Sequence, residues 1–249
     1  MEKQPTKAMR GFAALLAIIG WTAVILQFYL ILHNRTESVA ETVVRFFSFF
    51  TILTNMLVAV CCTVLWLWSG AGRSDGAGAG RSGRADSMGG SGAARSVRGS
   101  GDLENSGGWL YFLSKPATLT AVTVYITIVG LVYNILLRLL WDPQGLELMV
   151  DETLHTLIPS LFILFWLIFV PKGGLQWKDV PAWLIYPIVY TLFIMIRGAV
   201  SGWYPYPFID LTKITTHEVF VNAGAVLVGF LLFSMLLVGV GKLGRRSVH

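Results

Sequence analysis

The sequence predicts an all-α integral membrane protein, a bundle of six transmembrane helices with both termini cytoplasmic. Three observations carry this. The chain is 55% hydrophobic and 13% charged, against roughly 45–50% and 25% in soluble domains, so it lacks the polar surface to coat a water-soluble globule. Six apolar runs approach the roughly 20 residues a helix needs to cross a hydrocarbon core. Fourteen of the nineteen Lys and Arg residues fall into every second gap between those runs. Cations near span ends stay cytoplasmic because moving them across the bilayer is costly, so an even number of crossings is expected.

The first span is expected over Gly11–Leu32, behind Lys3, Lys7 and Arg10. It is too long for a cleaved leader and has no small-residue cleavage pattern, so it reads as a signal-anchor. The second, Phe46–Trp68, starts on the outer side and carries Cys61 and Cys62 mid-span as small packing residues. The stretch Ser69–Gly108 is rich in Gly, Ser, Ala and Arg and nearly devoid of bulky apolar residues. It cannot offset the entropy cost of ordering, and a disordered cytoplasmic linker is expected between membrane segments 1–68 and 109–249. Spans three to six follow at Ala117–Leu137, Thr153–Val170, Ala182–Gly198 and Val219–Gly241. Each must close its own backbone hydrogen bonds in lipid, which requires helix. Tyr29, Trp66, Trp109, Trp177 and Trp203 lie near span ends, where aromatic rings anchor at the interface.

The expected location is the cell membrane. The net charge of +5 comes from loops and tails facing the inner leaflet. It points to membrane lipids as partners, and no basic helix points to nucleic acid. Two adjacent mid-span cysteines offer no metal-ligand spacing, and no metal or cofactor is implied.

The polar residues inside the spans gather toward the outer half. Span two carries Ser48, Thr51 and Asn55 at i, i+3 and i+7, with Thr54 beside them. Span three carries Thr120, Thr123, Thr127, Gly130 and Asn134. Span four opens with Glu152, His155 and Pro159, span five ends with Tyr186, Tyr190 and Arg197, and span six opens with His217, Glu218 and Asn222. Ionisable groups at membrane depth are expensive and face the bundle interior or a wet cavity. The span-three threonines suit close helix packing. Thr51, Thr54 and Asn55 suit packing or site lining alike, and Arg197 either snorkels to head groups or pairs a fatty carboxylate. A serine and a histidine at similar depth suggest a nucleophile and its base, with Glu152 orienting the ring. Ser48 would attack an ester carbonyl and His155 accept its proton. Asn55, Thr51 or a tyrosine hydroxyl would face the oxyanion.

Three stretches carry a resemblance: Phe46-Phe47-Ser48-Phe49, His155-Thr156-Leu157-Ile158-Pro159, and the run from Ser201-Gly202-Trp203-Tyr204 through Pro205-Tyr206-Pro207-Phe208-Ile209-Asp210. In this order they resemble segments of the androgen-induced-protein family of small multi-span membrane proteins, and the chain looks closest to a bacterial branch of it. Animal members are threonine hydrolases of fatty acid esters of hydroxy fatty acids. The resemblance implies that Ser48 stands at the catalytic threonine and His155 at the catalytic histidine, with a fatty-acyl ester as substrate. Serine replaces threonine here, the histidine segment needs a one-residue gap before its proline, and the Ser69–Gly108 insertion is longer and more basic. The candidate activity is therefore intramembrane hydrolysis of a fatty-acid-type ester, with Tyr190, Tyr206, Asn134 and Asn222 around the cavity. A lipid or small-molecule transporter or binding protein is the alternative.

Overall fold

The computed structural model describes residues 6–71, 108–140 and 142–246. Most of the expected linker, residues 72–107, lies outside the described residues. Six helices are long and apolar enough to cross a membrane, as expected from the sequence, and the chain is an all-helical, multi-pass membrane bundle.

The elements are α1 (Lys7–His33), α2 (Val39–Phe46), α3 (Phe50–Ala71), α4 (108–114) and α5 (Pro116–Val132). A π-turn (Tyr133–Leu137) and a 3-10 turn (Arg138–Leu140) extend α5. Then come α6 (Leu146–Glu152), a second π-turn (Thr153–Leu157), α7 (Ile158–Phe169), α8 (Val180–Ser201) and α9 (Thr216–Arg246). Start signals are local. Thr6 and Ser38 accept the Met9 and Glu41 N–H groups, each at 3.2 Å, capping α1 and α2. Thr215 and Glu218 form a reciprocal capping box on α9. Gly202 closes α8 at φ +70°, a left-handed conformation that glycine adopts without steric cost.

Two of the boundaries that differ from expectation move the candidate site. Span two begins at Phe50, because residues 47–49 turn and split off α2 as a separate helix. Ser48 therefore lies in that turn and not on a continuous helical face with Thr51 and Asn55. Span four begins at Leu146, seven residues early, because the carboxylates of its first turns are partnered. Asn34 donates to Glu147, Tyr133 to Asp151 and Arg138 to Glu152.

The bundle is built around α3 and α5, whose spans are 56% and 61% buried, against 17% for those of α8 and α9. α1 fits closely on α3 through small residues: a Cβ on Gly20 would stand 3.1 Å from the Cβ of Ala59. Trp21 Nε1 donates to Thr63 and Trp166 Nε1 to Thr120, at 3.1 and 2.8 Å. Thr120, Thr123 and Thr127 return their hydroxyls to carbonyls four residues back, at 2.6–2.7 Å. These threonines are packing residues, one of the roles their spacing suggested.

The polar groups separate by end. At one end Arg10 donates to the Trp66 carbonyl, and Lys172 donates to the carbonyls of Trp166, Leu167 and Val170. Lys242 stands 5.1 Å over the Trp177 ring at that end. Ser48, His155 and Arg197 are all at the other end, reached by the C-terminal ends of α1, α5 and α8 and the starts of α3, α6 and α9.

Candidate functional site

The two π-turns face each other at the polar end. A π-turn closes its hydrogen bond from i to i+5, and such turns recur at functional sites. Here Ile158 N–H donates to Thr153 O in one turn, and Arg138 N–H to Tyr133 O in the other. Tyr133 and His155 meet between them, their rings stacked with centroids 3.9 Å apart and 15° between planes.

Asp151 joins the pair. Tyr133 Oη donates to Asp151 Oδ2. His155 Nδ1 lies 3.1 Å from Asp151 Oδ1 and 3.0 Å from the Asp151 carbonyl. Both of these oxygens are acceptors, so Nδ1 carries a proton, and in the neutral ring the lone pair is then at Nε2. An imidazole held this way by a carboxylate is arranged to accept a proton at Nε2. The group expected to orient the ring was Glu152, which instead pairs with Arg138. The reason is backbone geometry: with i to i+5 closure, the residue four positions back comes under the ring, and the one three back turns away toward α5. Asp151 and Tyr133 were missed from sequence. The Asp-x-x-x-His spacing was the available signal for Asp151; nothing local marked Tyr133.

Two cavities flank this cluster. The first, about 330 Å³, lies between α5, α8 and α9. Its wall is almost wholly apolar, with Phe50, Val132, Phe208, Ala223 and Leu227, and it takes polar atoms from Thr51, Tyr133, Tyr190, Thr191 and Tyr206. Leu192 and Phe220 on its rim are 59% and 74% exposed, so it opens sideways, where lipid would lie. The second, about 260 Å³, is polar, with Gln27, Asn34, Arg35, Glu37, Glu147 and Asp151 on its wall. The Tyr133–Asp151 hydrogen bond thus joins the wall of the apolar cavity to that of the polar one. Neither Ser48 nor His155 is among the residues lining these two cavities.

The remaining candidates divide clearly. Ser48 is buried; its hydroxyl donates to Val44 O at 2.6 Å, and its carbonyl accepts from Tyr190 Oη at 2.7 Å. No hydrogen bond joins Ser48 to His155 among the described residues. Tyr190 and Tyr206 both accept the Phe50 N–H, at 3.1 and 2.9 Å, which satisfies the first orphan donor of α3. Burial raises the Tyr206 hydroxyl pKa. Thr51 lines the apolar cavity, and Thr54 is fully buried beside the Tyr186 hydroxyl. Asn55 Nδ2 donates to Thr51 O and Leu154 O, at 2.9 and 3.2 Å, so its N–H groups are engaged with backbone. Asn134 donates to Gly130 O and His155 O, at 2.9 and 3.4 Å. Asn222 donates to Phe208 O at 2.9 Å, fixing the loop before α9 and not lining the cavity.

Arg197 corrects a further expectation. Its guanidinium meets Glu41 at 3.0 Å and stands 4.8 Å over the Trp203 ring, while Arg45 covers the same ring at 5.0 Å. Glu41 takes the place a fatty carboxylate would have. The sequence reading missed this because α2 was not recognised as an element. Arg45's hydrogen bond holds the Glu41 carboxyl below its usual 4.5, outweighing burial, and the Arg197 charge adds to it.

No family model, curated protein or solved structure matches this chain.

Proposed function

We propose that this multi-pass membrane protein seats an acyl chain in the cavity between α5, α8 and α9. The polar end of that amphiphile then lies at Tyr133, Asp151 and His155, and the His155–Asp151 pair is the chemical group, a general base for hydrolysis of an ester. One observation carries the reading: Tyr133 lines an apolar, side-opening cavity, stacks on the imidazole and hydrogen-bonds the carboxylate that orients it. A cavity of this size and lining suits a hydrocarbon chain.

In the proposed step, Nε2 of His155 takes a proton from the nucleophile as its oxygen bonds to the ester carbonyl carbon. The imidazolium then returns the proton to the leaving alkoxide as the C–O bond breaks. Thr51 and Tyr206, whose side chains line the cavity, supply the hydroxyl donors proposed for the developing oxyanion. Water serves as nucleophile directly. Ser48, at the position implied by the family resemblance, would first have to turn its hydroxyl off Val44 O. Binding or carriage of an acyl chain without chemistry is the second reading. It is favoured by the absence of Ser48 and His155 from the lining of both cavities.

The test uses purified protein in detergent micelles with p-nitrophenyl esters of increasing chain length and a fluorescent fatty acid. The hydrolase reading expects turnover that rises with chain length and is lost in His155→Gln, with acyl binding retained. Acyl binding without turnover in the wild type selects the second reading, and neither binding nor turnover removes both. Turnover that persists in Ser48→Ala assigns the nucleophile to water.

A further inference from the structure

The backbone around His155 has a deficit that two side chains from other helices fill. Pro159 has no N–H, so the carbonyl four residues back, His155 O, loses its α-helical donor. Ile158 N–H is drawn to Thr153 O by the π-turn, so Leu154 O loses its donor as well. Two successive carbonyls are thus released from the helix's own ladder, and each takes a donor from elsewhere. Asn55 of α3 donates to Leu154 O at 3.2 Å, and Asn134 of the facing π-turn donates to His155 O at 3.4 Å. The two freed carbonyls and the two asparagine amides match one to one.

Both amides are held in this orientation. Asn134 Oδ1 accepts from Arg138 Nη1 at 2.5 Å, which turns its NH₂ toward the carbonyls. Asn55 Nδ2 faces two acceptors, leaving Oδ1 buried with no hydrogen-bond partner. A fully buried amide that leaves its acceptor unmatched stabilises the fold only through what its donor does. Gly130 allows the approach: a Cβ there would lie 3.2 Å from both His155 O and the Pro159 ring.

We propose that Asn55 and Asn134 are positioning residues that hold the Thr153–Leu157 turn in π register and so keep His155 against Asp151 and Tyr133. Without Asn55, Leu154 O is served only if the turn rewinds toward α-helix and Ile158 N–H returns to it; without Asn134, His155 O, which Pro159 cannot serve in the α register, loses the donor that ties it to the facing turn. Rewinding rotates the ring off its two partners. The inference rests on His155 being the working group of the proposed function, but the geometry it predicts is measurable without turnover.

The experiment is ¹⁵N NMR of micelle-embedded protein labelled at its 4 histidines, with the His155 signal assigned by its loss in His155→Asn. The wild type should show His155 as one tautomer, protonated at Nδ1. Asn55→Leu and Asn134→Leu should each give mixed tautomers, and about a 10-fold or larger loss in kcat with KM nearly unchanged. Pro159→Ala restores the N–H that would serve His155 O, so the drop in Tm caused by Asn134→Leu should shrink in that background. Should Asn55→Leu not fold, Asn134→Leu at its exposed position supplies the result. An intact single tautomer in the foldable variants, or the same Tm loss with and without Pro159, overturns the proposal. Tautomer loss in a protein whose wild type hydrolyses nothing retains it and removes only the hydrolase reading.

Discussion

The Tyr133 ring lies flat on the His155 imidazole, centroids 3.9 Å apart, while its hydroxyl reaches the carboxylate that holds the same imidazole. Tyr133→Phe separates these contacts: the stack remains and the hydrogen bond to Asp151 is lost. A partly buried carboxylate deprived of one donor should lower stability by about 1–2 kcal/mol. Thermal unfolding in detergent should show that loss, and ester turnover should fall with it. An unchanged Tm and unchanged turnover would sink the assigned contact.

Gly224 lies on the wall of the apolar cavity with open space where a Cβ would stand. Gly224→Leu should fill the cavity without a clash and raise helix propensity, so stability should hold or rise by up to about 1 kcal/mol. Binding of a long fluorescent acyl chain should weaken at least several-fold, and of a short one less. Equal binding of both chains by the variant would place the acyl site elsewhere.

Gly198 is the opposite case, since a Cβ there would overlap the Tyr204 ring. That ring is buried, and no flexible chain end can give way. Gly198→Ala should destabilise by roughly 1–3 kcal/mol through overpacking. Differential scanning fluorimetry reads it directly, and Tyr204→Ala in the same chain should relieve part of the loss.

Glu41 gives the pH dependence. Its folded-state pKa lies below the usual 4.5, so its contribution is complete above that value and is lost as pH falls through the folded value. The Tm difference between wild type and Glu41→Gln should be present at pH 6–7 and vanish in strong acid. Salt should reduce it, since the Glu41 side chain is 31% exposed. A difference that grows on acidification would contradict the ion-pair assignment.

Topology follows from charge sorting. Lys7, Lys115, Lys172 and Lys242 belong to span ends at one face of the bundle, and both termini are proposed to be cytoplasmic. Reporter fusions at each end should give the same cytoplasmic signal. Tags on opposite sides of the membrane would overturn it.

Much of the fold was legible because its causes are local or summed along the chain. Twenty apolar residues between polar flanks form a spanning helix whatever they pack against, so all six spans were found. The convergence of His155, Tyr190 and Arg197 at one end was likewise readable from span order and direction. Their partners were not. Asp151 rather than Glu152 orients His155 because the backbone takes a π-turn there, and that turn depends on Asn55 and Asn134, 99 and 21 residues away from the carbonyls they serve. α2 went unrecognised because its eight residues, in the gap ahead of the expected second span, carry too short a pattern to mark a helix.

The sequence by itself determined that this chain is an all-helical membrane bundle, where its six helices run, and that His155, Tyr190 and Arg197 share one end of it. Those follow from hydrophobicity and charge, which act on each segment independently. Only the tertiary structure decided that Arg197 is met by Glu41, that the Ser48 carbonyl is held by Tyr190, and that the Tyr133–Asp151 hydrogen bond joins the wall of one cavity to that of the other. Each of these depends on the rotation of one helix about its axis relative to another. A two- or three-residue turn resets that rotation without leaving a mark in the apolar pattern.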